Sequence, residues 1–142
     1  MLTLLIGFVM VVLCLVLQAI FVTTCLRQYV RIKVTRQDRQ SYLQTIVLLS
    51  TVLLLMLLAN IVQMGLWAVL FRVLGEFDDF ATALYFSAVT FATLGYGDVV
   101  MSVRWRMLGP LEAANGILMF GVSTAVMTAA VMDIIKQKQA KP

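Results

Sequence analysis

The stretch TFATLGYGDVV, Thr90 to Val100, interrupts an apolar chain with residues that regular secondary structure does not favour. Gly95 and Gly97 flank Tyr96, and Asp98 follows them directly. Glycine adopts left-handed backbone angles as readily as right-handed ones, but it weakens the interior of a helix or a strand. We therefore expect an irregular segment here, between two regular elements.

The composition of the chain is typical of an integral membrane protein. Of its 142 residues, 62% are hydrophobic and 13% are charged. The sequence contains no His and only seven Asp and Glu residues. The chain therefore has few residues for acid–base catalysis and none for a His-based metal site, and we expect neither an enzyme nor a cofactor.

Three apolar runs each exceed the roughly 20 residues that a helix needs to cross a bilayer. They extend over Leu2–Leu26, Tyr42–Phe71 and Met107–Ile135. The loop after the first run and the tail after the third run are both basic, which predicts a cytoplasmic position for both and an N-terminus outside. We expect a multi-pass protein of the plasma membrane. The net charge of +4 then favours contact with lipid headgroups over nucleic acid.

A shorter apolar run, Phe80 to Phe91, lies in the segment predicted on the outer side. The run is too short to cross the membrane, which predicts a re-entrant helix surrounded by protein or by a water-filled cavity. Asp78 or Asp79 is in place to cap its first free amides. The carboxyl end of this helix would point into the membrane, where its dipole stabilises a cation.

The glycines after this run are suited to presenting backbone oxygens to an ion. An ion that leaves water needs oxygens in place of its hydration shell, whereas a regular strand turns successive carbonyls to opposite sides. Left-handed angles at Gly95 and Gly97 would let neighbouring carbonyls face one axis. We expect the Thr93 hydroxyl to add a ring of oxygens at the inner end, and Leu94 and Tyr96 to point away from the axis.

Thr93 to Asp98 spell TLGYGD, which resembles the selectivity-filter signature of the potassium-channel pore family, usually written TVGYGD. The segment ALYFS, Ala83 to Ser87, is similar to the family's pore helix, in which paired aromatics, here Tyr85 and Phe86, support the filter. The resemblance covers about Met64 to Asp133 and is strongest for small prokaryotic three-span members.

The resemblance implies a tetramer with four filters around one axis. Dehydrated K⁺ would bind the carbonyl oxygens of a filter made of Thr93, Leu94, Gly95, Tyr96 and Gly97, with the metal-ion sites at the first four. Asp98 would lie at the outer mouth, where a carboxylate raises the local cation concentration.

The predicted fold is an all-α membrane protein with three transmembrane helices, a re-entrant pore helix and a filter loop, assembled as a tetrameric channel. Residues 1–41 are expected to form an extra N-terminal transmembrane helix and a basic cytoplasmic loop. Residues 42–135 would form the pore domain of outer helix, pore helix, filter and inner helix, and residues 136–142 a short basic tail.

The expected function is a potassium-selective channel, with K⁺, membrane lipids and three further copies of the chain as partners. Two alternatives stay open at this point. In the first alternative, the chain is a non-conducting accessory or structural membrane subunit that keeps the pore fold. In the second, it is a weakly selective cation channel.

Glu112 is an acid inside an apolar span, and such a residue is a functional candidate because an unpaired charge there is costly. Gly109 and Pro110 are typical of a helix start, which would place Glu112 in the first turn, where the helix dipole favours a carboxylate. We expect Glu112 to support the filter from outside the pore, by a hydrogen bond or an ion pair.

Other polar and small residues in the spans carry weaker predictions. Gln18 and Gln63 are typical of hydrogen bonds between transmembrane helices. Asn115 is expected on the wet wall of the pore, because the last span lines the pore in the family that the chain resembles. Gly116 and Gly121 have two interpretations, gating hinges or sites of close helix packing.

Overall fold

The protein, described by a computed structural model over residues 1–35 and 42–139, consists of four α-helices, with no strand in these two ranges. The helices are α1 (Leu2–Thr35), α2 (Tyr42–Val73), α3 (Phe80–Phe91) and α4 (Leu108–Gln139). Three of them are long and apolar enough to cross a membrane, over Leu2–Arg31, Thr45–Val73 and Leu108–Lys136. The chain is therefore a multi-pass membrane protein.

Helix α1 is longer than the first apolar run. The run ends at Leu26, whereas the helix continues to Thr35 through residues that the sequence predicts as loop. Arg27 and Arg31 lie in this extension, and arginine is a good helix former, so the helix continues beyond the apolar stretch. The remainder of the predicted loop, 36–41, and the end of the predicted tail, 140–142, lie outside the described residues.

The surface of the long helices is apolar. Large side chains such as Leu5, Phe8, Leu54 and Ile117 are more than half exposed on the single chain. An apolar surface of this extent is unfavourable in water and favourable against lipid or another subunit.

Helices α2 and α4 pack against each other and against both remaining helices, while the described parts of α1 and α3 have no Cα atoms within 8 Å of each other. Gly7 of α1 lies against Leu108 of α4, and Tyr29 of α1 reaches Asp133 of α4, so these two helices run parallel. Helix α2 is antiparallel to both. We call the end of the molecule that holds the first residues of α1 and α4 the α3 end, and the opposite end the far end.

The buried core divides into two clusters along this axis. The α3-end cluster takes side chains from all four helices and from the loop before α4: Met10, Cys14, Trp67, Phe71, Phe91, Trp105, Leu108 and Met119. The far-end cluster is built from α1, α2 and α4 alone: Cys25, Val52, Met56 and Ala130. Helix α3 therefore packs only within one end of the molecule.

Helix α4 begins earlier than the sequence indicates. Its first residue is Leu108, so Pro110 falls inside the first turn, where a missing amide proton is tolerated because it would have no helical partner. The first turn holds no acid, and Glu112 lies just beyond it. The predicted stabilisation of Glu112 by the first free amides of α4 is therefore wrong, and Glu112 has a different partner.

Candidate functional site

Helix α3 begins at an aspartate cap, as the sequence predicts. Asp79 has extended backbone angles, and its Oδ2 accepts a hydrogen bond from the Thr82 amide at 3.0 Å. This backbone hydrogen bond lowers the pKa of the exposed Asp79 carboxyl, which remains a charged cap. The predicted cap is confirmed for Asp79.

Helix α3 ends in a tight turn, and the TLGYGD segment, Thr93 to Asp98, begins within this turn. The Leu94 amide donates to the Val89 carbonyl at 2.9 Å, and the Thr93 amide donates to the Thr90 carbonyl at 2.9 Å. This pair of bonds is a Schellman motif, which requires a left-handed residue at its turn position. Thr93 occupies that position with φ of 60°.

The end of α2 has the same motif with the residue usually found there. The Glu76 amide donates to Phe71 and the Gly75 amide to Arg72, both at 3.1 Å, and Gly75 has φ of 74°. A β-branched residue such as Thr93 is strained in this conformation by roughly 1–3 kcal/mol, whereas glycine is not. The turn itself therefore does not account for a threonine at position 93.

Left-handed backbone recurs at every second residue of the TLGYGD segment. After Thr93, it appears at Gly95, with φ of 56°, and at Gly97, with φ of 77°. Thr93 is the only residue other than glycine with a positive φ in the described ranges. An extended segment in which every second residue has a positive φ no longer turns successive carbonyl groups to opposite sides.

The TLGYGD segment is exposed along its whole length on the single chain. Leu94 is 55% exposed and Tyr96 is 65% exposed, and Thr93 and both glycines are also exposed. No heavy atom outside the immediate neighbours would contact a side chain built on Gly95 or Gly97. The segment is thus accessible to an ion or to neighbouring subunits.

Asp98 and Tyr85 join the end of the TLGYGD segment to α3. The Tyr85 hydroxyl donates to Asp98 Oδ2 at 2.6 Å, and the Val99 amide donates to Asp98 Oδ1 at 3.1 Å. The hydrogen bond from Tyr85 lowers the pKa of the Asp98 carboxyl, because it stabilises the charged form. Asp98 is exposed and stays ionised at neutral pH.

Phe86 lies on another side of α3, in a group of aromatic rings. Its ring centroid is 5.4 Å from that of Phe71 on α2 and 5.2 Å from that of Phe77 in the connecting loop. Tilted and edge-on ring contacts of this kind stabilise a pair beyond the area that they bury. Phe86 therefore anchors α3 to α2, while Tyr85 faces the TLGYGD segment.

Ser87 connects α3 to both central helices. Its Oγ is 2.8 Å from the Met64 carbonyl oxygen of α2 and 2.5 Å from Oε1 of Glu112 on α4. Ser87 and Glu112 are both fully buried. Glu112 has no ion-pair partner among the described residues, since Arg104 and Arg106 are exposed on the surface.

The Ser87 hydroxyl is the donor at this junction. It carries one proton, and two acceptor oxygens, the Met64 carbonyl and Glu112 Oε1, lie within hydrogen-bond distance of Ser87 Oγ. Glu112 is therefore held by a hydrogen bond rather than by an ion pair. A charged carboxylate without an ion-pair partner is unfavourable at such a buried position, which favours the neutral acid.

A row of amide side chains crosses the three long helices at mid-depth. Gln63 Nε2 of α2 donates to Gln18 Oε1 of α1 at 2.8 Å, which confirms the predicted contact between helices. Asn115 Nδ2 of α4 is 3.5 Å from Gln63 Oε1, and Asn115 is 1% exposed. The prediction that Asn115 lines a wet pore is wrong for this chain, because its side chain faces α2.

The two glycines of α4 differ in their surroundings. Gly116 is buried, and a side chain built on it would overlap the carbonyl of Phe91, the last residue of α3. Gly121 is exposed and has no atom within 4 Å of a built side chain. Close packing therefore describes Gly116 but not Gly121, and the hinge interpretation stays a prediction for both.

Comparison with known families assigns the class. The family model described as ion channel matches residues 57–133, more than half of the chain, so the protein belongs to the ion channel family. The match takes in the second half of α2, all of α3, the TLGYGD segment and most of α4, and it excludes α1. Comparisons with curated proteins and with solved structures give no match.

Sequence reasoning missed the partners that hold the site. The sequence places Ser87 in the pore-helix stretch, but it does not show that the Ser87 hydroxyl joins three helices. It places Glu76 among the acids of the outer segment, but it does not show the partner of Glu76. The two carboxylate oxygens of Glu76 accept hydrogen bonds from the amide and the hydroxyl of Ser102 at 2.7 and 2.6 Å, which ties the loop after the TLGYGD segment to the end of α2. For Ser87 the signal is a polar residue inside an apolar run, whereas an acid in a loop, such as Glu76, gives no signal of its partner.

Proposed function

We propose that the protein is a potassium-selective channel in which four copies of the chain surround one axis. The observation that carries the proposal is the alternation of left-handed backbone at Thr93, Gly95 and Gly97. This conformation lets successive carbonyl oxygens face a common axis, and membership in the ion channel family supplies the context.

In this proposal the ion is held by backbone oxygens. The carbonyls of Thr93, Leu94, Gly95 and Tyr96, with the Thr93 hydroxyl, replace the water around K⁺. The strain accepted at Thr93 supports this role, because glycine would make the same turn without the hydroxyl. Asp98, charged at the end of the segment, attracts cations to the outer mouth.

The supports of the filter lie on α3 and α4. Phe86 anchors α3 to α2, and Tyr85 holds Asp98 at the outer mouth. Glu112 braces α3 from behind by accepting a hydrogen bond from Ser87, and it does not contact K⁺. The α3 end is extracellular in this arrangement, and α3 is the re-entrant helix.

The assembly of four copies is supported by two features of the single chain, its one TLGYGD segment and its exposed apolar surface. One chain contributes a single TLGYGD segment, and a ring of carbonyls needs several. Apolar side chains near the segment and on the neighbouring face of α4 are exposed on the single chain, among them Leu94, Tyr96, Ile117 and Leu118. Neighbouring subunits would cover this surface. Cross-linking in mild detergent should yield tetramers, and a product that stops at dimers would contradict the assembly.

The activity is tested by K⁺ efflux from liposomes that contain the purified protein. Gly97→Ala should abolish efflux, because alanine at a left-handed position is strained by roughly 1–2 kcal/mol and nothing else opposes the added methyl group. Gly75→Ala is the matched control, since Gly75 has the same handedness and the same open surroundings outside the segment.

The outcomes separate the alternatives. Efflux that is lost in Gly97→Ala and retained in Gly75→Ala supports the proposal. A well-assembled parent protein without efflux would instead be an accessory subunit. Equal permeation of K⁺ and Na⁺ would make it a weakly selective cation channel.

A further inference from the structure

Helix α1 lies outside the part of the chain that the ion channel family matches, and it packs against α4, which lies mostly inside that part. Helix α3 reaches α4 as far as Gly116 and Phe120, through its last residue, Phe91. Beyond that level the described buried cluster contains only side chains of α1, α2 and α4. In the far half of the molecule, the buried neighbours of α4 are therefore α1 and α2 alone among the described residues.

The far-end contact between α1 and α4 includes a polar link. The Tyr29 hydroxyl donates to Asp133 Oδ2 at 2.6 Å, across two helices that are distant in sequence. A hydrogen bond to a carboxylate is stronger than one between neutral groups, and it is partly buried here. Phe21, Val22 and Cys25 of α1 add apolar contacts in the same half.

We propose that α1 sets the position of the far half of α4, and that Tyr29 is the positioning residue, acting through Asp133. The inference rests on the proposed channel function, in which α4 lines the ion path. Any displacement of the far half of α4 must carry α1 with it or break the Tyr29–Asp133 bond. In the proposal α1 stays in place when the channel opens, so the balance between open and closed channels depends on this bond, whereas ion selectivity, set at the α3 end, does not.

The test is single-channel recording of Tyr29→Phe in planar bilayers. Loss of one charge-assisted hydrogen bond in each of the four subunits should change the ratio of open to closed time by at least about tenfold, since one such bond alone is enough for a tenfold change. The K⁺ to Na⁺ preference should stay as in the parent protein. Thr24→Val is the matched control, because it removes an α1 hydroxyl that bonds only to Ile20 of its own helix.

A double-mutant cycle distinguishes a link from a general loss of packing. Asp133→Leu should change the same ratio, and adding Tyr29→Phe to Asp133→Leu should then have little further effect. Two full, additive effects would show that the residues act separately and would overturn the inference. If Tyr29→Phe does not assemble, Asp133→Leu against Thr24→Val tests the α4 side of the link together with the other contacts of Asp133, and gating like that of Thr24→Val would overturn the inference.

The two proposals fail in different ways. A parent protein that conducts no ions contradicts the proposed function. A conducting parent whose Tyr29→Phe and Thr24→Val variants gate alike, within about twofold, contradicts the role of α1 and leaves the channel function standing.

Discussion

Thr93 combines an unfavourable backbone with a side chain that the proposed filter uses. Thr93→Gly should stabilise the turn at the end of α3 by about 1 kcal/mol, because glycine accepts φ of 60° without strain. The same change should weaken K⁺ binding, because a ring of hydroxyls is lost. Thermal unfolding in detergent and the K⁺ dependence of current measure the two effects.

A variant that loses both stability and conduction would contradict this trade-off. Gly75→Thr serves as the reverse control, since it puts threonine at the matching turn of α2 and should destabilise that turn without altering the current.

The Tyr85–Asp98 bond predicts a dependence on external pH. The bond lowers the pKa of Asp98, so its contribution is fully present above the ordinary aspartate pKa and is lost as pH falls through the lowered value. Tyr85→Phe should return the pKa of Asp98 toward its ordinary value. Acid on the outer side should then reduce K⁺ current at a higher pH than in the parent protein.

Asp98→Asn provides the control, because it removes the titrating group. Its current should be lower than that of the parent and should lack this acid-dependent step. An identical pH profile for Tyr85→Phe and the parent protein would show that the bond does not govern Asp98.

Helices α3 and α4 meet where Gly116 touches the backbone of Phe91. Gly116→Ala should destabilise the protein by about 1–3 kcal/mol, since the added methyl group collides with a carbonyl that has little freedom to move. Gly121→Ala, on the same helix with open surroundings, should be neutral or slightly stabilising. Equal effects of the two changes on thermal unfolding would contradict the close contact at Gly116.

The hydrogen-bond chain from Glu112 through Ser87 to Met64 joins α4, α3 and α2. Glu112→Gln should be nearly neutral, because the amide oxygen accepts the Ser87 hydrogen bond and the amide, like the neutral acid, carries no charge. Glu112→Leu should cost about 1–3 kcal/mol, because Ser87 loses its acceptor on α4. Unfolding in detergent and retention of the tetramer are the measurements.

If Glu112→Gln proved as damaging as Glu112→Leu, the buried carboxyl would have to be charged. The ion-pair alternative that the sequence left open would then need a partner outside the described residues.

The number and approximate bounds of the helices could be predicted from the sequence, but the contacts between their side chains could not. The length of the apolar runs gave the three spans, and the run from Phe80 to Phe91 has the same bounds as α3. Helix length follows from local composition, which a single sequence contains. The helix face that carries Asn115 follows from packing against Gln63, which local composition does not contain. The same holds for the Ser87–Glu112 contact.

The whole molecule joins a channel module, matched over residues 57–133, to helix α1, which lies outside that match. Helix α1 contacts the module at three depths: Gly7 against Leu108 at the α3 end, Gln18 with Gln63 in the middle, and Tyr29 with Asp133 at the far end. Polar contacts at two of these depths fix the register of α1 along α2 and α4, because apolar contacts alone are less directional. We therefore expect α1 to stay packed against α2 and α4 in each subunit.

The most direct test of the central claim, K⁺ selectivity at the TLGYGD segment, is the reversal potential of purified channels in a planar bilayer. With K⁺ on one side and an equal concentration of Na⁺ on the other, the current should reverse at a potential far from zero, with the K⁺ side negative, because a ring of carbonyl oxygens replaces the hydration shell of K⁺ better than that of Na⁺. A reversal potential near zero would show that K⁺ and Na⁺ permeate equally, and would contradict the selectivity assigned to Thr93 to Gly97.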